Sequence, residues 1–271
     1  MYPRSEVTEY ARTCDLIVEL PCIGDHSRSL EETPAHVEQV DDLFETYGVR
    51  APRLAFFHGS RLLGRDWQQW SAAYTAAGYK LAASTLDYAG SVGGCVYIPS
   101  IVDVGDRRAE PYDDPASSPI AVIASTDPML NRSVELEAAA KRAGCRIKRI
   151  TALTHAECLY IKAQAHVGID QIRGTFAINS LENMALGLAN VVDVPLEQRD
   201  LLKESIGVEW QPNYPRLTSP QDVYVYVKWL TDSPIRLAAQ QMASRRWFAA
   251  NWRPEQIAAH VARKIRGILA A

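Results

Sequence analysis

Short apolar runs alternate with segments of helical periodicity along most of this chain. That order constrains the fold more than any other feature. Strands separated by helices pair in parallel, because a parallel neighbour needs a crossover connection. CDLIVEL (14–20), RLAFFHGS (53–60), KLAAST (80–85) and VYIPSIVDVG (96–105) read as strands in the first part. PIAVIAS (119–125), CRIKRITAL (145–153), AHVGID (165–170) and ANVVDV (189–194) read as strands in the second. Helical patterns lie between them at 31–48, 66–79, 132–144, 156–164 and 180–188. Further helical segments follow at 220–232, 233–250 and 254–269.

GDRRAEPYDDPASSP (105–119) is rich in charge, proline and serine and lacks apolar periodicity, which marks a linker. Alternation on both sides of it predicts an α/β fold of two Rossmann-like domains facing a cleft. The expected boundaries are 1–108 for the first domain and 109–250 for the second. Residues 251–271 are expected to form a last helix that packs back on the first domain.

Charge and cysteines exclude several function classes. A net charge of −3 gives no global attraction to nucleic acid or anionic lipid. From Arg236 onward, however, Arg236, Arg245, Arg246, Arg253, Arg263, Lys264 and Arg266 face one acid, Glu255. Trp247 and Trp252 lie among them. This stretch reads either as a solvated basic face or as a surface for phosphate, anionic lipid or DNA. Cys14, Cys22, Cys95, Cys145 and Cys158 are odd in number and scattered, so neither a disulfide framework nor a zinc site is expected. The start of the chain lacks the pattern of a signal peptide, and no apolar stretch is long enough to span a bilayer. The expected setting is cytoplasmic.

AHVGIDQIRGTFAINSLENMALGLANVVDV (165–194) carries the chemistry. A strand ends at Asp170, a glycine-containing loop follows, and a helix begins near Asn179. Ligands of open α/β sheets bind beyond the carboxyl ends of the strands. A helix N-terminus there offers free N–H groups and a positive dipole end to a diphosphate. A carboxylate in its first turn, Glu182, can accept two hydrogen bonds from a ribose. The same Asn179-x-x-Glu182 spacing also fits a capping box, in which Glu182 only satisfies a backbone N–H. Asp170 is equally readable as a cap or as a site residue.

This stretch resembles the donor-binding motif of group 1 (family 4-like) retaining glycosyltransferases of the GT-B fold. One branch carries a pattern like ADIGIDQ..IGWYGV..LEAMALGKPVV, and Asp170, Gln171, Gly174, Glu182, Met184, Ala185 and Gly187 fall in register with it. Glu182 matches the second of the family's two glutamates, and Gly174 stands at the first. The family's Lys-Pro is Leu188-Ala189 here. Upstream, His58, Gly59 and Ser60 match HYHGSDIR, with Arg61 where an acid is common. IASTDPMLNRS (123–133) stands where the family has HAPTNR..KGT; the phosphate-binding lysine is missing near Asn131, and Arg132 is the candidate replacement. The linker begins at residue 105, so the first domain looks reduced beside the family's.

The resemblance implies transfer of a sugar from a nucleotide-diphosphate donor to an acceptor hydroxyl, with retention and without metal or other cofactor. It implies His58, Gly59 and Ser60 at the reacting centre. It places Glu182 on the ribose, the backbone of Gly174, Thr175 and Phe176 at the donor sugar or phosphates, and Asn179 and Ser180 at the diphosphate. Asp170, Gln171, Ser125 and Thr126 complete the donor site, with Arg132 and Arg61 offsetting phosphate charge. Glu182→Ala is expected to lose donor binding and keep the fold. The acceptor, whether glycan, lipid, small molecule or modified DNA base, is left open. A reduced first domain also suggests an oligomer or partner chain. The competing expectations are a non-catalytic nucleotide-sugar-binding or scaffold subunit and a phage-type transferase acting on modified DNA. His155 and His166 read as structural, as do His26 and His36.

Overall fold

The computed structural model describes residues 17–19, 51–57, 66–113, 117–124, 132–170, 172, 176–210 and 214–270. The chain divides into two compact units, Met1–Pro99 with Ala259–Ala271, and Ser100–Ala258. Each is built on a parallel sheet, so the α/β reading of the alternating pattern is correct.

In the first unit the sheet order is β1 (Ile17–Glu19), β2 (Arg53–Phe57), β3 (Lys80–Ala83) and β4 (Val96–Tyr97), all parallel. Helix α1 (Asp66–Ala76) precedes β3 and packs on it. Leu54, Ala82 and Ile98 form the core with Ile268, and Phe56, Val96 and Val261 pack around them. A short helix, α2 (Leu86–Ser91), lies between β3 and β4. It was not anticipated, because six residues are too few to display helical periodicity. The expected helix at 31–48 lies outside the described residues.

The second unit has sheet order β6 (Arg146–Ile150), β5 (Ile120–Ala124), β7 (Val167–Ile169) and β8 (Ala189–Val191), again all parallel. Helices α3 (Ser133–Arg142), α4 (His155–Lys162) and α5 (Ile178–Leu186) connect successive strands. The chain runs outward from β5 to β6, then back across β5 to β7 and on to β8. Right-handed crossovers therefore put α3 on one face and both α4 and α5 on the other. Their contacts agree: α4 packs with α5, and α3 packs with α7 (Pro220–Thr231). Helix α8 (Pro234–Asn251) lies against α5 and β8, and α9 (Pro254–Ala270) ends the described chain. Helix α6 (Leu196–Ile206) escaped the sequence reading because it buries only Gln198 and Leu202, leaving no apolar stripe.

Two glycines fix the placement of α5. A Cβ on Gly168 in β7 would lie 2.5 Å from Asn183 Cγ, so only glycine lets the helix approach this strand. Gly187 ends α5 at φ 87°, a left-handed position that glycine adopts without strain. The charged stretch after Gly105 carries no helix or strand up to Asp113 and lies within the second unit. Buried Gln241 ties it to α8, accepting from the Tyr112 N–H at 2.9 Å and donating to the Glu110 carbonyl at 3.2 Å.

Candidate functional site

The parallel sheet of the second unit places the carboxyl ends of β5, β6, β7 and β8 along one edge. The loops leaving that edge lead into the N-termini of α3, α4, α5 and α6. The strand order reverses between β5 and β7, which makes that edge the expected ligand position.

Helix α4 starts at this edge behind a complete capping box. Thr154 Oγ1 accepts the Glu157 N–H at 3.3 Å, and the Glu157 carboxylate accepts the Thr154 N–H at 2.9 Å. His155, Cys158 and Lys162 then fall three and seven residues along, on one helical stripe. That stripe meets Glu182 of α5. Glu182 Oε2 lies 2.5 Å from Lys162 Nζ, and Glu182 Oε1 lies 2.8 Å from His155 Nε2. Lys162 also donates to Asn179 Oδ1 at 2.5 Å. The Lys162 side chain is 1% exposed and that of Glu182 7%, whereas His155 is 64% exposed. The carboxylate is thus backed by a buried ammonium and reached from solvent past an imidazole. Burial pushes the neighbouring Cys158 thiol up, with Glu182 adding to the shift and Lys162 opposing it.

This geometry corrects the capping-box alternative. The N-cap of α5 is Ala177, which has no capping side chain, and Glu182 is the fifth helical residue rather than one of the first turn. Its oxygens turn to α4 instead of back to the start of their own helix. The geometry also gives any Glu182 variant an expected cost in stability. Either Glu182→Ala or Glu182→Gln leaves the buried Lys162 ammonium without its counter-charge; Glu182→Gln is the milder change because it keeps the side chain's volume and an acceptor oxygen for Lys162.

Asp170 follows β7 directly and is buried, and Ser180 donates to its Oδ2 at 2.5 Å. Ser180 is therefore engaged by a carboxylate in the first turn of α5. The Asn179 amide nitrogen is buried and has no hydrogen-bond partner among the described residues. Phe176 has contacts that its place in the motif does not show. Its N–H donates to Gln198 Oε1 at 3.3 Å, and its ring is buried edge-on against Trp210, Trp247 and Trp252. The Phe176 N–H is thus paired within the protein, and its side chain belongs to an aromatic core.

Arg132 caps α3 at φ 52° and forms an exposed ion pair with Glu135, so its guanidinium is shared with a carboxylate rather than held open. A second carboxylate at the edge, Asp193, is buried and accepts from Arg216 at 2.6 and 3.2 Å and from the Leu217 N–H at 3.3 Å. His58, Gly59, Ser60, Arg61, Ser125, Thr126, Gln171, Gly174 and Thr175 lie outside the described residues. Trp247 and Trp252 are buried, so neither can serve a C-terminal nucleic-acid surface. Their indole N–H groups donate to the carbonyls of Glu209 at 2.8 Å and Ser100 at 3.1 Å. No helix among the described residues is long and apolar enough to cross a membrane.

The structure thus brings Asp170, Asn179, Ser180 and Glu182 together around the start of α5. It adds His155, which the sequence reads as structural, and Lys162, which no local motif marks. Their seven-residue spacing was the available signal, since it puts two cationic or titratable groups on one face of a short helix.

No protein-family model matches the sequence, and no curated protein matches it. Solved structures do. HepE from Anabaena, in complex with UDP-glucose, matches with a TM-score of 0.65 and 13% identity over 97% of this chain and 82% of HepE. An alpha-glucosyltransferase in complex with UDP-glucose and DNA containing an abasic site matches at 0.56 and 9% identity, over 99% and 83%. A mutant of S. aureus TarM, in complex with Fondaparinux, alpha-GlcNAc-glycerol and UDP, matches at 0.57 and 8% identity. That match covers 89% of this chain, which spans 59% of TarM. At these identities the likeness is one of fold, and the fold is that of GT-B glycosyltransferases.

Proposed function

We propose that this chain binds a nucleotide-diphosphate sugar at the start of α5 and transfers the sugar to an acceptor hydroxyl. The observation that carries the reading is the Glu182 carboxylate, buried near the carboxyl edge of the sheet with Lys162 behind it. A carboxylate accepts about four hydrogen bonds, one pair per oxygen. Lys162 and His155 take one on each oxygen, which leaves one per oxygen for the two hydroxyls of a ribose.

The diphosphate would lie at the N-terminus of α5, where the N-cap residue, Ala177, has no side chain to cap the first turn. The Asn179 amide nitrogen, without a partner among the described residues, points to a hydrogen-bond acceptor there. Charge developing on the leaving diphosphate would be stabilised by these fixed dipoles, without metal. Transfer with retention, the leaving phosphate taking the acceptor's proton, belongs to the proposal through the motif around Asp170 and Glu182. So does membership of the group 1 branch. The UDP-glucose complexes of two structural neighbours favour UDP-sugars as the first donors to try.

The test is a thermal-shift screen of UDP-, GDP-, ADP- and TDP-sugars against wild type and Glu182→Gln. A ligand that binds only the folded chain raises its melting temperature with concentration. One donor should stabilise the wild type and not the variant. Equal stabilisation of both removes Glu182 from the site. Binding without consumption of the donor in the presence of any acceptor would favour the non-catalytic reading.

A further inference from the structure

We propose that Lys162 is a positioning residue that makes Glu182 a reader of the nucleotide ribose; this rests on the donor-site reading above. Lys162 is 1% exposed, and its ammonium holds both Glu182 Oε2 and Asn179 Oδ1 at 2.5 Å. One cation therefore fixes two side chains of α5. One is the carboxylate assigned to the ribose. The other carries the amide nitrogen left without a partner among the described residues.

Stability alone does not account for a buried lysine here. Desolvating an ammonium is expensive, and apolar pairs of similar volume commonly replace buried ion pairs without loss. A site that must present a rigid carboxylate to a diol has a use for it. The ammonium occupies one side of the carboxylate, so a ligand's hydroxyls can approach only the remaining side. It also keeps the Glu182 rotamer from swinging toward solvent, since Lys162 is anchored by its own position at the end of α4. Removing Lys162 should therefore abolish recognition of the hydroxyls before it abolishes recognition of the diphosphate, which the helix N-terminus holds independently.

The experiment compares UDP with 2′,3′-dideoxy-UDP by calorimetry, repeated with GDP and ADP pairs, on wild type, Lys162→Met, Lys162→Arg and Glu182→Gln. Wild type should prefer the ribose form of one nucleotide by about tenfold to a hundredfold, the order set by hydrogen bonds to a charged group. Lys162→Met should bind both forms with equal affinity, as should Glu182→Gln. Lys162→Arg, which keeps the charge, should recover part of the preference. Should Lys162→Met fail to fold, Lys162→Gln keeps a donor without the charge and carries the same comparison. A ribose preference that survives loss of the Lys162 charge overturns the proposal while leaving Glu182 in place. A wild type that does not distinguish the two forms, or binds none of the diphosphates, overturns the Glu182 reading and this one together.

Discussion

Lys162 Nζ and Glu182 Oε2 lie 2.5 Å apart across the α4–α5 contact, both buried. Breaking such a pair from one side leaves an uncompensated buried charge, and removing both sides does not. Lys162→Met is therefore expected to destabilise the chain by about 3–5 kcal/mol, while Lys162→Met/Glu182→Met returns most of it. Urea unfolding of the two single variants and the double closes the cycle. A double variant as unstable as Lys162→Met would mean that the pair is not the source of the loss.

The packing of α5 on β7 rests on Gly168. With a Cβ there, the Asn183 side chain must move, and its amide nitrogen would lose Asn190 Oδ1, now 3.1 Å away. Gly168→Ala should cost about 1–3 kcal/mol, the range of an overpacked core. Asn183→Ala is destabilising alone because it unpairs buried Asn190. The double variant should nonetheless lose less than the sum of the singles, because the contacts at 2.5 and 2.6 Å with the Asn183 amide are gone and only the one at 2.9 Å with the Cβ of residue 183 remains. Additive losses would place the strain elsewhere.

Most of this architecture is legible in the sequence, for a physical reason. Strands such as Ile120–Ala124 and Val167–Ile169 are buried, and their apolar runs show it. Glycines close α3 and α5 where a left-handed residue is needed. Glu182 was legible as a residue of interest but not in its partners. The capping-box spacing is local, whereas its actual contacts come from a neighbouring helix. Local spacing does not encode which two helices share a face; strand order does, through the handedness of crossovers. Phe176 shows the same limit. Its place in the motif says nothing of its ring, and the aromatic cluster that holds the ring draws on residues as far away as Trp252.

His166 predicts a pH dependence. Its Nδ1 accepts the Ile120 N–H at 3.0 Å, and its ring packs against Tyr112. Burial lowers its proton affinity below the ordinary value of 6.5, Arg146 adds to this, and Asp113 partly opposes it. As pH falls through 6.5 the unfolded chain takes up a proton that the folded chain resists, so stability must decrease. Above that value both states are neutral and the contribution vanishes. The melting temperature should fall between pH 7.5 and 5.5, conditions chosen at about one unit either side of the histidine range. His166→Asn should flatten part of that slope. A slope unchanged in the variant would assign it to other groups, such as His260, which is also lowered by burial.

Tryptophan accessibility separates the core from the surface. Trp252 is fully buried, stacks beside Trp247 and donates to the Ser100 carbonyl, whereas Trp229 is 46% exposed beside Tyr226 and Arg236. Trp252→Ala removes a large ring from a packed cluster and should cost about 3–5 kcal/mol. Trp252→Phe keeps most of the ring volume and loses the bond to Ser100, so it should cost about 1–3 kcal/mol. Trp229→Ala should stay within about 1 kcal/mol, because it gives up only surface stacking. Acrylamide should quench Trp229 and spare Trp252, which single-tryptophan removals would show as a loss of the quenchable or of the protected fraction. If Trp252→Ala unfolds no more easily than Trp229→Ala, the aromatic cluster around Phe176 does not hold the second unit together.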